Sequence, residues 1–317
     1  MIAPREHRIG PWLVALGAGL WGTKSAWRIP LNDVFSVDVA VLWEHVILVI
    51  CALPLVIPRL GELRRVHVRT IAWLLFSGVA GSAVGAVLFT RALKEGDATI
   101  ANAVLNVQPV LSTAAACLIF GDRLAPTFYP WAMLAVVAGM VLVGFAPGAG
   151  VTIDAGAGYA LLCALLWGLS TVAGRGVMVE MSLPLAAGLR MIIGLSTMVV
   201  IVAARGDLAA EALWPASAAA EPVRVVVWLV LLAMLSGGVP LLVYFKGLEL
   251  TRASTAGYFE MVQTLVAVVI ASVFFDAGLM WHQVAAAAAL IGALVMVRRA
   301  QEHTALPYAA PGAMPVR

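Results

Sequence analysis

The chain alternates long apolar stretches with brief polar or Gly/Pro-rich breaks, and the length of the stretches decides its class first. A bilayer core of about 30 Å is crossed by about 20 helical residues. Ten apolar windows of that size follow one another, at about 11–30, 38–58, 69–92, 98–120, 127–146, 156–178, 183–204, 223–248, 253–275 and 279–298. Most breaks between them are no longer than a turn. Two are longer: the basic run Arg59 to Arg69, and the Ala-rich run Arg205 to Arg224, which carries Asp207, Glu211 and Glu221 and is expected to be loosely ordered. After Arg299 three prolines and no apolar period predict a disordered tail over 300–317.

Composition agrees with the pattern. Hydrophobic residues make up 62% and charged residues 12%, with a mean hydropathy of +0.99. A soluble domain carries about 25% charge. Lipid accepts an apolar exterior that water would not, so the lipid bilayer is the expected environment and no nucleic-acid footprint is visible. Cys51, Cys117 and Cys163 each stand alone inside apolar runs, without ligand or disulfide spacing, and read as packing residues. Met1 to Gly22 imitates a signal peptide, with Arg5 and Arg8 ahead of an apolar stretch. It lacks a small-residue cleavage pattern, and Lys24, Trp27 and Arg28 follow, so it reads as a first membrane helix.

The net charge of +3 matters less than its placement. If ten helices alternate, Arg5, Arg8, Arg59, Arg64, Arg65, Arg69, Arg123, Lys246, Arg252, Arg298 and Arg299 collect on one side. By the positive-inside rule that side is cytoplasmic. The opposite loops hold Asp33, Asp38, Asp154, Asp207 and Asp276. The expected location is the inner (plasma) membrane with both termini cytoplasmic.

The two halves resemble each other. Phe89, Arg91, Leu93, Gln108 and their neighbours Ala98 and Thr99 match Tyr244, Lys246, Leu248, Gln263, Ala253 and Ser254 at a shift of 155. Leu20-Trp21-Gly22 matches Leu166-Trp167-Gly168 at a shift of 146, which also lays Glu44 on Arg190. Five helices per copy is an odd number, so the second copy would enter the membrane from the other side, as in many secondary transporters. The expected fold class is an all-α membrane protein with ten transmembrane helices in two five-helix inverted repeats, over 11–146 and 156–299, preceded by a cytoplasmic N-terminus at 1–10.

Leu20-Trp21-Gly22, Phe89-Thr90-Arg91-Ala92-Leu93, and Ala98 to Pro109 followed by Phe120-Gly121-Asp122 carry a resemblance to the EamA-type drug/metabolite transporter superfamily. It extends through Arg299. It implies ten helices in two inverted repeats and movement of a small metabolite, often outward. The chain departs from the family at Glu44, where arginine is usual, and at Gly121-Asp122, where Gly-Glu is usual.

Charges at the bilayer centre cost at least about 2.5–3.5 kcal/mol, which makes them candidates for function. Lys24, with Arg28 nearby, Glu44, His45, Arg190 and Glu260 are the ones in this chain. Helical rise places Lys24 and Glu44 at a common depth, roughly 9 Å from one face, and Arg190 and Glu260 roughly 10 Å from the other. Each pair could form, giving two opposed layers that gate the two mouths or meet the ends of a zwitterion. The alternative is that they tie helices statically or snorkel. Asn102, Asn106 and Pro109 share a helical face, with Gln108 beside them, and Tyr258, Glu260, Gln263 and Thr264 answer from the ninth helix. These groups suit either a central site or interhelical hydrogen bonds. Trp21, Trp27, Trp43, Trp167 and Tyr244 offer aromatic walls, whereas Trp131, Trp228 and Trp281 read as interface anchors. Gly78, Gly81 and Gly85 in the third helix, with Ser236, Gly237, Gly238 and Pro240 opposite in the eighth, would allow close helix approach.

The function these features imply is secondary transport of a small organic metabolite, such as a zwitterionic amino acid, by alternating access. Glu44, His45 or Glu260 could carry a coupling proton. An importer of an organic anion or sugar, and a receptor or structural protein, are the alternatives. An enzyme is disfavoured because no nucleophile-base pair or metal motif sits at membrane depth. No cofactor or metal is implied, and a homodimer is left open.

Overall fold

The structure is a computed structural model that describes residues 4–96, 98–144, 155–274 and 278–302. Every regular element among them is helical. We number them α1 (Pro4–Gly22), α2 (Lys24–Asn32), α3 (Val37–Arg65), α4 (Val68–Glu95), α5 (Ile100–Phe120), α6 (Phe128–Leu142), α7 (Ala155–Val177), α8 (Leu183–Ala204), α9 (Pro222–Glu249), α10 (Ala253–Phe274) and α11 (Trp281–Glu302). Eight of these stretches are long and apolar enough to cross a bilayer: α3, α4, α5, α7, α8, α9, α10 and α11. α6 is apolar but shorter, at 15 residues. The first expected window is divided between α1 and α2, because Thr23 turns its hydroxyl back onto the Leu20 carbonyl at 2.7 Å. Asp154, Asp276, Met1 to Ala3 and the chain beyond 302 lie outside the described residues, while α11 runs three residues past Arg299.

The halves carry matching irregularities. α5 breaks at Asn106 and Val107, just ahead of Pro109, whose missing N–H releases a carbonyl one turn earlier. α10 breaks at Met261, the position 155 residues on, with no proline nearby. α4 widens into π-helical turns over Ser77–Val84, and α9 does so over Met234–Gly238, again 155 residues on.

Packing exchanges partners between the halves. α1 lies on α9 and α7 lies on α4, while α3 faces α8. The Trp21 ring meets Tyr244 at 4.8 Å, and its repeat mate Trp167 meets Phe89, the mate of Tyr244, at 5.4 Å. A Cβ on Gly22 would stand 2.5 Å from the Gln263 carbonyl, and one on Gly168 would stand 3.1 Å from the Gln108 carbonyl. Contacts that swap in this way relate the halves by a pseudo-two-fold axis. The glycines of α4 and α9 do not face each other as the sequence suggested. Gly78 and Gly85 abut Ile193 and Trp167, and Gly237 abuts Leu48, because each small-residue face is taken by the opposite half.

Helix ends sort into two rims. At one, Glu62 accepts from the Ser182 N–H and hydroxyl at 3.0 and 2.9 Å, and Glu180 accepts from the His67 N–H at 2.9 Å. Burial raises the Glu180 carboxyl, but the bonds from His67 and Thr70 outweigh it and hold the group below the usual carboxylate range. At the other rim Asp38 takes the Arg205 guanidinium at 2.8 Å. Here the segment after α8 is packed, contrary to the loose loop expected from its alanines. Trp214 lies 5.8 Å from Phe35 and 5.9 Å from Trp43, and the Trp43 indole N–H donates to the Leu213 carbonyl at 2.8 Å. Ala218 is fully buried beneath it. Small side chains let this segment lie flat on the helix ends, which alanine content alone does not reveal.

Candidate functional site

Between the halves lies a cavity of about 130 Å³, room for on the order of ten water-sized particles. The two π-helical stretches reach it with equivalent residues, Gly81 and Ser82 from α4 and Ser236 and Gly237 from α9. A π turn inserts one residue into the helical ladder and is a recurrent device at functional sites. Trp21 and Trp167 line the cavity as mates, paired with Tyr244 and Phe89, which line it too.

One group of charges pairs internally, two cations on one carboxylate. Lys24 Nζ is 3.0 Å from Glu44 Oε1, as expected from their common depth. Arg28 adds a second cation by donating to Glu44 Oε2. Lys24 and Arg28 are four apart on α2 and so share a face. The Glu44 side chain is 4% exposed, and those of Arg28 and Lys24 are 8% and 26% exposed. His45 donates from Nδ1 to the Val41 carbonyl at 2.9 Å, which leaves Nε2 an acceptor, buried without a protein partner.

The second expected pair does not form. Arg190 donates from Nε to Ser82 Oγ at 3.0 Å and lies over the Phe245 ring at 5.6 Å. Glu260 is held by neutral donors: Gln108 Nε2 at 2.6 Å, Tyr244 OH at 2.8 Å and Thr171 Oγ1 at 2.9 Å. An ionised carboxylate is acceptor-only and suits three donors. Depth estimates placed Arg190 and Glu260 at one level but could not show that each would find uncharged partners first. Both line the cavity, so a cation and an anion share it, neither in an ion pair within 4.0 Å among the described residues.

Ten of the thirteen expected site residues therefore reach the wall: Trp21, Lys24, Glu44, His45, Gln108, Trp167, Arg190, Tyr244, Glu260 and Gln263. Asn102, Asn106 and Tyr258 lie off it. The Asn106 amide donates to the Asn102 carbonyl at 3.0 Å and accepts from Thr264 at 3.3 Å. It abuts Gly139 of α6, on the face that helical rotation of about 200° over two residues sets away from Gln108. Tyr258 is buried edge-on against Phe128 at 5.4 Å. Sequence reasoning passed over Ser82 and Thr171. Such hydroxyls in membrane helices commonly bond their own preceding turn, as Thr171 also does with Trp167 at 3.2 Å, so nothing distinguished them.

The family model for the EamA-like transporter family matches the chain twice, over residues 8–145 and 154–299. No curated protein matches. Among the solved structures, 29 chains match. One, titled only "Crystal structure of protein", is 17% identical, with a TM-score of 0.69 over 91% of this chain and 96% of its own. At that identity the likeness speaks to the fold alone.

Proposed function

The chain belongs to the EamA-like transporter family, as a multi-pass helical membrane protein, and from that premise we propose that it is a secondary transporter moving a small organic zwitterion outward. In this reading ten helical crossings form two repeats of opposite topology, α1 and α2 together making the first and α6 the fifth. Both termini face the cytoplasm of the inner membrane. The observation that carries the proposal is the cavity shared by the halves, in which Arg190 and Glu260 are each held by neutral hydrogen-bond partners rather than by an ion pair among the described residues. A substrate carboxylate would lie at Arg190 and Ser82, its ammonium at Glu260, and its apolar part between Trp21 and Trp167. Zwitterionic amino acids have this chemistry.

The Lys24, Arg28 and Glu44 cluster closes one mouth in this mechanism, and rocking of one repeat against the other alternates access. Glu260 serves as the coupling group, exchanging a proton for the substrate ammonium. The test is thermal-shift screening of purified protein against zwitterions, organic anions and sugars, followed by counterflow of the hits in liposomes. We expect saturable counterflow that is lost in Glu260→Gln and Arg190→Gln. Exchange of anions or sugars only would overturn the substrate class, and flux indifferent to an imposed pH gradient would overturn the coupling role.

A further inference from the structure

A second concavity, apolar and separate from the central cavity, runs along the outside of the bundle between α1, α10 and α11. Its volume is about 540 Å³, and Trp12, Leu16, Leu20, Val266 and Leu294 line it. It begins at Trp12 and ends at Thr23. Eleven helical rises of about 1.5 Å each span roughly 16 Å, about half of a 30 Å hydrocarbon core and so one leaflet.

Two features separate it from an accident of packing. Small residues, Ala15 and Gly19, hold the groove open on α1, whereas the repeat mates on α7 are Leu161 and Leu165. The other half carries leucine side chains at the equivalent positions, both exposed. The second feature is charge at the shallow end. The Arg298 guanidinium lies 5.8 Å over the Trp12 ring, which itself meets Phe259 edge-on at 5.4 Å. Arg299 follows, exposed, in the last turns of α11.

We propose that this groove binds one acyl chain of an anionic phospholipid from the leaflet on the Arg298 side, with its phosphate at Arg298 and Arg299. Charge complementarity selects the occupant. A neutral hydrocarbon would use the apolar wall but gain nothing from Arg298 at its mouth, and a soluble anion would gain nothing from the wall. The bound chain would brace α1 from behind, since Thr23 at the deep end also touches Ser236 of the central cavity at 3.2 Å.

The test uses delipidated full-length protein in detergent, with thermal stability titrated against phosphatidylglycerol, phosphatidylcholine and inorganic phosphate. An arginine near an anionic surface contributes about 1 kcal/mol, so half-saturation by phosphatidylglycerol should come at a roughly fivefold lower concentration than by phosphatidylcholine. Gly19→Leu, which imports the mate's side chain, should lose the stabilisation by lipid, and Ala15→Leu serves as a second groove-filling variant. Arg298→Gln should retain stabilisation but bring the two lipids closer together. Equal responses to both lipids, an undiminished response in both groove-filling variants, or full stabilisation by inorganic phosphate would each overturn the proposal.

Discussion

Glu44 is the acceptor for one buried and one partly exposed cation, and this predicts an order of costs that simple loss of contacts would not give. Glu44→Gln keeps the side chain's shape but leaves Lys24, 3.0 Å away, and Arg28 beside each other with no anion. Stranding buried charge in this way costs about 3–5 kcal/mol. Lys24→Met is milder. It leaves Arg28 on Glu44 and removes a group that is 26% exposed, so about 1 kcal/mol or less is expected. Arg28→Met should fall between them, because Arg28 Nε and Nη1 are buried without partners and their removal returns part of the loss. The decisive variant combines Glu44→Gln with both methionines. Without cations to strand, the glutamine should cost less than about 1 kcal/mol relative to the double-methionine background. The assay is reversible unfolding in mixed micelles by sodium dodecyl sulfate titration, followed by tryptophan fluorescence. A Glu44→Gln cost that is the same in both backgrounds would refute the coupling.

Three further outcomes follow from other contacts. Gly194→Ala would drive a methyl to 2.7 Å from the His45 ring and 3.0 Å from Ser82, and a loss of about 1–3 kcal/mol is expected in the same assay. Trp214→Ala removes the ring packed on Phe35 and Trp43; limited proteolysis should then cut near Leu208 to Ala220 faster than in wild type, and unchanged cutting would show that the ring does not hold the segment. The Glu180 carboxyl is held low, so the folded state binds fewer protons there than the unfolded one. Its contribution is complete above its ordinary value and fades as pH falls through the lowered one. Glu180→Gln should therefore lower stability at neutral pH and flatten the acid limb, so that variant and wild type converge as pH falls through the lowered value.

The helical windows and the duplication were legible because apolar length and rare residues such as Trp and Gln survive in a low-complexity sequence. Trp21, Trp167, Gln108 and Gln263 were found through the repeat, and all four reach the cavity. What could not be read was rotation about helix axes. Asn106 lies off the wall while Gln108 lies on it, since residues two apart on a helix point about 200° apart. Nor could depth alone choose among partners: Glu44 took both cations of α2, and Glu260 took three neutral donors. The π-helical turns of α4 and α9 have no sequence signature beyond their small residues.

The exchanged packing of α1 on α9 and α7 on α4 makes this monomer a fused pair in mechanical terms. A single copy of the repeat would have to bury the same faces against a second, identical chain. In such a symmetric assembly the position now held by Glu44 and Arg190 would present one charge twice across the axis, and like would repel like. Joining both copies in one polypeptide lifts that constraint. An acid can stand at one site and a base at its mate, giving the chamber an electrical direction that no symmetric assembly of identical subunits could have.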